Sequence, residues 1–229
     1  MALAQDSGPS IALQNRVVIA HGVCMGLVFA VFFPLGGSIL HSLNFRGLIW
    51  FHSGWQLFSY AIALAGLGMG IWIAVTTDQV RRLFITPLRR SRSPNPFLLQ
   101  LTASNGHPII GIIVISVLFL QPFGGLLHHM LFRKHQKPTV WGAAHRWMGR
   151  VMLILGAING GLGLQLSADT VKGEIAYGVL AGIFFALWAV SLVLDKRQKA
   201  KSMESVEGAP AQEERSYESK NRLMGAPMA

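Results

Sequence analysis

The feature that most constrains this chain is an uncharged apolar stretch from Gly106 to His129. It is long enough to cross a bilayer as a helix, because the hydrocarbon core takes about 20 helical residues. One histidine, His107, stands at its entrance, and a pair, His128 and His129, stands at its exit. Lipid offers an imidazole no water to bond with, so a histidine there usually has a partner. Three other apolar segments also carry a histidine near the first turn, namely His21, His52 and His145.

The amino-acid composition indicates an integral membrane protein. The 229 residues are 52% hydrophobic and only 13% charged, whereas a soluble domain carries about a quarter charged residues. Most charged residues lie in connectors and after residue 194, which leaves long uncharged blocks. We therefore expect an all-α integral membrane fold of five transmembrane helices, at about residues 15–40, 49–75, 106–129, 142–166 and 174–194.

Three regions follow from these blocks. Residues 1–14 form a short N-terminal segment that lacks the basic start and long apolar core of a secretion signal. Residues 15–194 form the transmembrane domain, in which Pro34 predicts a kink or an early end of the first helix. Residues 195–229 are charged and rich in Ser, Glu and Lys, and we expect a polar, disordered tail because it has little to bury.

The formal net charge of +10 raises the question of a nucleic-acid partner. The Lys and Arg residues lie beside apolar spans, however, where cationic side chains meet phospholipid headgroups and set orientation. We therefore expect a lipid bilayer, and no nucleic acid, as partner. The single cysteine, Cys24, allows neither an intrachain disulfide nor a Cys-x-x-Cys-His haem attachment site, and it is interpreted as a packing residue.

The histidines at the starts of four consecutive spans predict two haems. Consecutive spans joined by short connectors run antiparallel, so His21 and His107 lie near one face, and His52 and His145 near the other. Histidines on facing helices of an antiparallel four-helix core can hold a porphyrin between them. Two imidazoles then fill both axial positions of the iron, which favours electron transfer over oxygen chemistry. The helix rise places the two irons roughly 20 Å apart.

The histidines also admit other interpretations, as hydrogen-bonded or headgroup-level residues and as zinc ligands. A lone membrane histidine is more often hydrogen-bonded or at headgroup level than a metal ligand, but four at equivalent positions favour ligation. Zinc fits poorly, because the two pairs lie at opposite faces and no carboxylate or thiolate accompanies either. We interpret His41 and His135 as interfacial anchors.

Five further residues are candidates for contact with haem propionates or macrocycle edges, near the face of the second histidine pair. Propionates need cationic partners close to the headgroups. Arg46 precedes the second span, and Arg146 and Arg150 begin the fourth. These arginines fit propionates and lipid phosphates equally well. His128 and His129 fit either a haem contact or interfacial anchoring.

Four pieces of the sequence, taken in order, resemble the cytochrome b561 family, especially the branch often fused behind a DOMON domain. They are HGVCMGLVFAVFFPLGG from His21, WFHSGWQLFSYAIALAGLGMG from Trp50, GHPIIGIIVISVLFLQPFGGLLHH from Gly106 and HRWMGRVMLILGAINGGLGLQL from His145. The resemblance covers about residues 16–194 and keeps the four histidines in the order of the family. It implies a transmembrane electron carrier with two non-covalent haem b groups, ligated by His21 with His107 and by His52 with His145.

The resemblance also implies partners and an orientation. Members of the family are transmembrane oxidoreductases that take electrons from ascorbate at the cytosolic face and pass them to ferric chelates or monodehydroascorbate on the other side. DOMON-linked members exchange electrons with an attached or partner haem domain, and related proteins are often homodimers. The amino terminus is expected outside and the charged tail in the cytosol, in agreement with the basic residues of the tail, Arg46 and the connector 132–141.

Two departures from the family concern what surrounds the four histidine-bearing helices. The family usually has six helices, and the sequence predicts five, without the helix that would precede His21. Only the short segment 1–14 precedes the first span, so we expect no DOMON domain. Five arginines of the connector 76–105 would lie outside, against the positive-inside rule, and fit an anion-attracting patch for a chelate or acidic partner: Arg81, Arg82, Arg89, Arg90 and Arg92.

Two other classes of function stay open. A haem-bearing membrane anchor would relay electrons to or from a separate, DOMON-like redox protein and would have no small-molecule substrate of its own. A non-haem scaffold or transporter is the other class. The spans carry no Asp or Glu in their interiors, which argues against ion-coupled transport.

Overall fold

The computed structural model describes residues 9–77, 106–167 and 171–224, with few side chains beyond residue 204. All long regular elements in these ranges are helices. They are α1 (Ile11–Ser42), α2 (Leu48–Thr76), α3 (Gly106–His135), α4 (Val140–Leu166) and α5 (Val171–Met224). The arginine-rich part of the second connector, residues 81–92, lies outside the described residues.

Each of the five helices is long and apolar enough to cross a membrane, which confirms the five predicted spans by length and composition. Large apolar side chains are exposed around the bundle, including Ile19 (65%), Ile112 (56%) and Leu187 (54%). Soluble monomers rarely expose apolar surface on this scale. Helix length and exposed apolar surface together support an integral multi-pass membrane protein.

Helix α1 contains a local change of helix type. A π-helical turn, Val28–Phe32, separates its two α-helical parts, Ile11–Leu27 and Phe33–Ser42. The N–H of Phe33 donates to the carbonyl of Val28, which is the hydrogen bond of a π-helix. Of the two outcomes predicted at Pro34, a kink or an early end of the helix, the early end is wrong, since the helix continues to Ser42. The proline falls in the first turn after the π-helical segment, where its missing N–H is tolerated.

The first four helices pack side by side in a closed ring, with contacts between α1 and α2, α2 and α3, α3 and α4, and α4 and α1. Helices α1 and α3 are therefore diagonal to each other, as are α2 and α4. Helix α5 lies outside this ring against α1 and α4. The buried core fills the middle of the ring, and its apolar members are Val28, Phe29, Phe33, Ala63, Ile110, Val114, Ile115, Leu118 and Leu153.

Two aromatic residues attach α5 to the ring. The hydroxyl of Tyr177 donates to the carbonyl of Ala157 at 2.7 Å, and its ring lies against Gly160 of α4. Trp188 is buried against Gly37 of α1. Both contacts place an aromatic ring on a glycine, so α5 approaches the two helices closely.

Helix α5 continues past residue 194 as a polar helix to Met224. The sequence of this part predicts no buried face, yet it is rich in Lys, Glu and Ala, which have good helix propensity. Asp195 lies where the apolar part ends; it accepts a hydrogen bond from Lys199 (2.8 Å) and lies 3.1 Å from Nδ1 of His41. His41, expected as an interfacial anchor, thus contacts α5. The domain boundary at residue 194 stays a prediction.

Candidate functional site

The structure brings the first predicted histidine pair together on diagonal helices. The ring centroids of His21 on α1 and His107 on α3 are 6.0 Å apart, and the ring planes are inclined at 88°. Metal–imidazole bonds of about 2 Å, with a ring radius of about 1 Å, place two axial imidazoles about 6 Å apart. The separation therefore fits two imidazoles on opposite sides of one metal ion.

The second predicted pair lies at the other end of the ring, on α2 and α4. His52 begins α2 opposite Gly36 of α1, and His145 begins α4 opposite Gln121 of α3. His52 and His145 therefore both lie at the end of the ring opposite His21 and His107, and their pairing at one level stays a prediction.

All four histidines make the same kind of hydrogen bond to a neighbouring helix. Nδ1 of each lies within hydrogen-bond distance of one main-chain carbonyl: His21 with Gly66 (2.8 Å), His52 with Gly36 (2.9 Å), His107 with Asn159 (2.9 Å) and His145 with Gln121 (3.2 Å). Because a carbonyl oxygen only accepts, each Nδ1 carries the proton. Nε2 is then the unprotonated nitrogen, and within the described residues it has no hydrogen-bond partner.

This hydrogen bond is the usual outer contact of a metal-binding histidine. It fixes the tautomer and the ring orientation and raises the basicity of the opposite nitrogen. Each ring is therefore held with a lone pair directed away from its carbonyl partner. The donor set fits axial haem ligation, which uses two imidazoles per iron.

The carbonyl acceptors recur at a fixed distance along each helix. In α2, α3 and α4 the acceptor stands at position i+14 from the helix's own histidine, as from His52 to Gly66. Such a separation makes almost four turns of α-helix and rises about 21 Å, so the histidine and the acceptor lie on one face. In α1 the acceptor Gly36 stands one position further from His21, at i+15, with the π-helical turn between the two.

A glycine four positions after the acceptor makes room for three of the rings. A Cβ on Gly70 would lie 2.9 Å from Cε1 of His21, one on Gly163 would lie 2.7 Å from Cε1 of His107, and one on Gly125 would lie 3.3 Å from Cε1 of His145. This role of the three glycines was not predicted from the sequence. The available signal was a glycine at position i+18 from the histidine of the same helix in α2, α3 and α4.

A second set of contacts joins the residue four positions after each histidine to the acceptor residue on the partner helix. In every case one member is glycine and the other has a larger side chain that lies over it. The pairs are Met25 with Gly66, Gln56 with Gly36, Asn159 with Gly111, and Gln121 with Gly149. In α1 and α2 the glycine is the acceptor residue itself. In α3 and α4 the glycine is the residue four positions after the histidine.

Two polar atoms of these pairs are buried without a hydrogen-bond partner among the described residues. They are Oε1 of Gln56 and Oδ1 of Asn159. A cavity of about 20 Å³ lies beside Asn159, with Met25 and His107 among its lining residues. The thioether of Met25 and the side-chain amide of Asn159 therefore lie beside the first histidine pair, one helical turn closer to the middle of the four-helix bundle.

The residues predicted to contact haem edges or propionates lie at the end of the second pair. Nδ1 of His128 lies 2.7 Å from Oγ1 of Thr139, the residue that caps α4, and the ring of His129 packs edge-on against Trp50. Arg146 is exposed and close enough for its charge to act on His128 and His145.

The other two predicted arginines are less closely tied to the second pair. The guanidinium of Arg150 lies 5.2 Å from the ring centroid of Trp147, a cation–π contact. Arg46 lies in the exposed turn between α1 and α2. The roles of these arginines in holding propionates stay predictions. Within the described ranges, no group of three or more His, Cys, Asp or Glu side chains could hold a metal ion.

Comparison with known proteins finds a distant relative of this chain. The chain is 24% identical over 177 residues to a protein of Arabidopsis thaliana named cytochrome b561 and DOMON domain-containing protein. The match covers 74% of this chain and 37% of that protein, so the chain spans little more than a third of the relative's length. No family model and no solved structure matches. The similarity supports a relation to cytochrome b561 proteins.

Proposed function

We propose that this chain is a cytochrome b561-type electron carrier that holds two b-type haems in an antiparallel four-helix core. His21 and His107 would ligate one haem, and His52 and His145 the other. The observation that carries the proposal is the set of four Nδ1–H···O=C hydrogen bonds, which leave four Nε2 atoms available in two levels. When bound, each haem supplies a one-electron ferric/ferrous couple.

The chain's own residues hold, orient and insulate the two groups. With two imidazoles as ligands, a haem iron would have no open position, so transfer of single electrons would be favoured over chemistry on a bound substrate. The two histidine levels lie about 21 Å apart along the axis of the helix bundle. This is the helix rise between a histidine and the acceptor carbonyl on the same helix. Between them, buried apolar residues such as Phe29, Val114 and Leu153 exclude water.

The tail-side end is the proposed entry for electrons. Ascorbate would give up one electron and one proton there to become monodehydroascorbate, and a ferric chelate or monodehydroascorbate would gain one electron at the other end. Arg46, Arg146, Arg150 and His128 belong to the same end of the ring as the second histidine pair and would hold the haem propionates in the headgroup region. Several described basic residues at this end favour a cytosolic tail: Arg46, Arg133, Lys134, Lys137, Arg146, Arg150, Lys196, Arg197, Lys199 and Lys201.

A second candidate is a membrane relay for a separate haem domain. The name of the Arabidopsis relative, which includes a DOMON domain, favours this reading. In this case electrons would pass between the first histidine pair and a partner protein. Ascorbate would then not be the donor, although the same four histidines would hold the haems.

Transfer across a membrane is tested with purified protein in liposomes that contain ferricyanide. Ascorbate added outside is expected to bleach the trapped ferricyanide, because electrons cross between the two levels. His52→Ala should slow the bleaching at least tenfold by removing the haem nearest the tail, and His135→Ala, at an exposed histidine, serves as the control. Haems that dithionite reduces but ascorbate does not would favour the relay. Haems that ascorbate reduces, with bleaching no faster than in liposomes without protein, would contradict transfer across the membrane.

A further inference from the structure

The spacing between a histidine and the acceptor residue of the same helix differs in only one of the four helices. The acceptor Gly36 stands at i+15 from His21, whereas the corresponding residues of α2, α3 and α4 stand at i+14. All four acceptors nevertheless meet their histidines at 2.8 to 3.2 Å. Helix α1 must therefore accommodate one additional residue between His21 and Gly36.

A regular α-helix could not absorb it. Each residue turns the helix by about 100°, so one additional residue would swing the carbonyl of Gly36 by that angle around the axis of α1. The carbonyl would then point away from His52. Its hydrogen bond with Nδ1 of His52, at 2.9 Å, could not form without moving one of the helices.

The π-helical turn lies between the two positions and has the required effect. A π-helix closes each turn with a hydrogen bond one residue longer than that of an α-helix, so a single π-turn adds one residue and leaves the next turn in register. Val28, Phe29 and Ala30 are buried in the core, and Val31 is the first residue of the turn that reaches the outside. Val31 is thus the residue of the turn whose deletion disturbs the buried core least.

Proline alone does not account for the turn. Pro34 lacks the N–H that would bond to the carbonyl of Ala30 in an α-helix. A departure from α-helical hydrogen bonding therefore costs little free energy at this place. Pro122 lies within α3, however, and that helix keeps the i+14 spacing between His107 and Gln121. The extra residue, rather than the proline, goes with the π-turn.

We propose that the π-helical turn Val28–Phe32 is a register element that places the Gly36 carbonyl against His52 and so positions this histidine as a ligand. The inference rests on the proposed haem sites. It makes Gly36 and the turn positioning elements that act through His52, and it predicts that α1 without its extra residue serves equally well.

Deletion of Val31 tests the inference. The variant should form a regular α1 with the i+14 spacing of the other helices and keep both haems, with the reduction potential and the electron paramagnetic resonance signal of the tail-side haem unchanged. Deletion of Leu64 from α2 is the matched control, since that helix has no π-turn and its acceptor Gly66 would move one position closer to His52. The control should lose about half of the haem, because the Gly66 carbonyl no longer faces His21.

Each outcome of this test either supports or overturns the inference. Loss of the tail-side haem alone after Val31 deletion overturns the inference, because the turn would then be needed for itself. If that variant fails to fold, insertion of one alanine after Val31 gives the answer: loss of the tail-side signal alone supports the inference, and retention of both signals overturns it. A wild-type protein without haem would sink the proposed function instead. The ¹⁵N chemical shift of Nδ1 in His52 would then still report the hydrogen bond to Gly36.

Discussion

Replacement of His107 by alanine is expected to reduce the haem content from two per chain to one. The ring of His107 stands 6.0 Å from that of His21, and no other described histidine pairs with His21 in this way. A haem that lost one of its two imidazole ligands would be bound to the protein through one remaining histidine, and it would be released or become high-spin. The remaining haem, on His52 and His145, should keep its low-spin spectrum.

Pairwise substitutions make this prediction sharper. His21→Ala with His107→Ala should cost no more haem than either change alone, because both residues serve one site. His52→Ala with His107→Ala should remove both haems. Haem per chain, measured by the pyridine haemochrome assay, distinguishes these cases, and His135→Ala controls for the loss of an exposed histidine. Retention of two low-spin haems in the His107 variant would show that the pairing is wrong.

Replacement of Gly163 by alanine is expected to remove the same haem as replacement of His107. The new Cβ would lie 2.7 Å from Cε1 of His107, closer than Cβ atoms approach other atoms in proteins, so the ring has to shift and its hydrogen bond with the carbonyl of Asn159 is disturbed. The ring would turn out of its position and Nε2 would leave the axial direction. A second variant, Gly125→Ala, should have a milder effect, because its Cβ would lie 3.3 Å from His145.

The control for this series is Gly161→Ala on the same helix. A Cβ on Gly161 would meet nothing within 4 Å, and alanine favours a helix over glycine by about 1 kcal/mol. Helix propensity would therefore stabilise all three variants, and only contact with the histidine separates them. Haem content in the order Gly161→Ala, Gly125→Ala, Gly163→Ala, from full to half, is the expected result. Equal haem in all three would mean that the glycines do not seat the rings.

The sequence predicts the parts of this structure that depend on composition and on position along a span. Five apolar blocks give five helices, since only helices satisfy the backbone of such a block in lipid. A histidine near the start of each of four neighbouring predicted spans gives two levels, although helix α1 begins at Ile11 and His21 is its eleventh residue. The closeness of His21 and His107 follows from this placement and was predicted.

The details that depend on contacts between helices were not predicted. Gly66 and Gly70 receive the side chains of Met25 and His21. These contacts depend on which face of α1 meets α2, which hydropathy does not encode because both faces are apolar. The π-turn escaped detection for the same reason, as its residues are as apolar as the rest of α1.

The most direct measurement for the central claim is the haem content and spectrum of purified protein from haem-supplied cells. Two haems per chain are expected, with a reduced-minus-oxidised spectrum of b type and two low-spin ferric signals in electron paramagnetic resonance. Each low-spin signal corresponds to one iron held by two imidazoles. A colourless protein, or one whose haem is high-spin, would contradict the account.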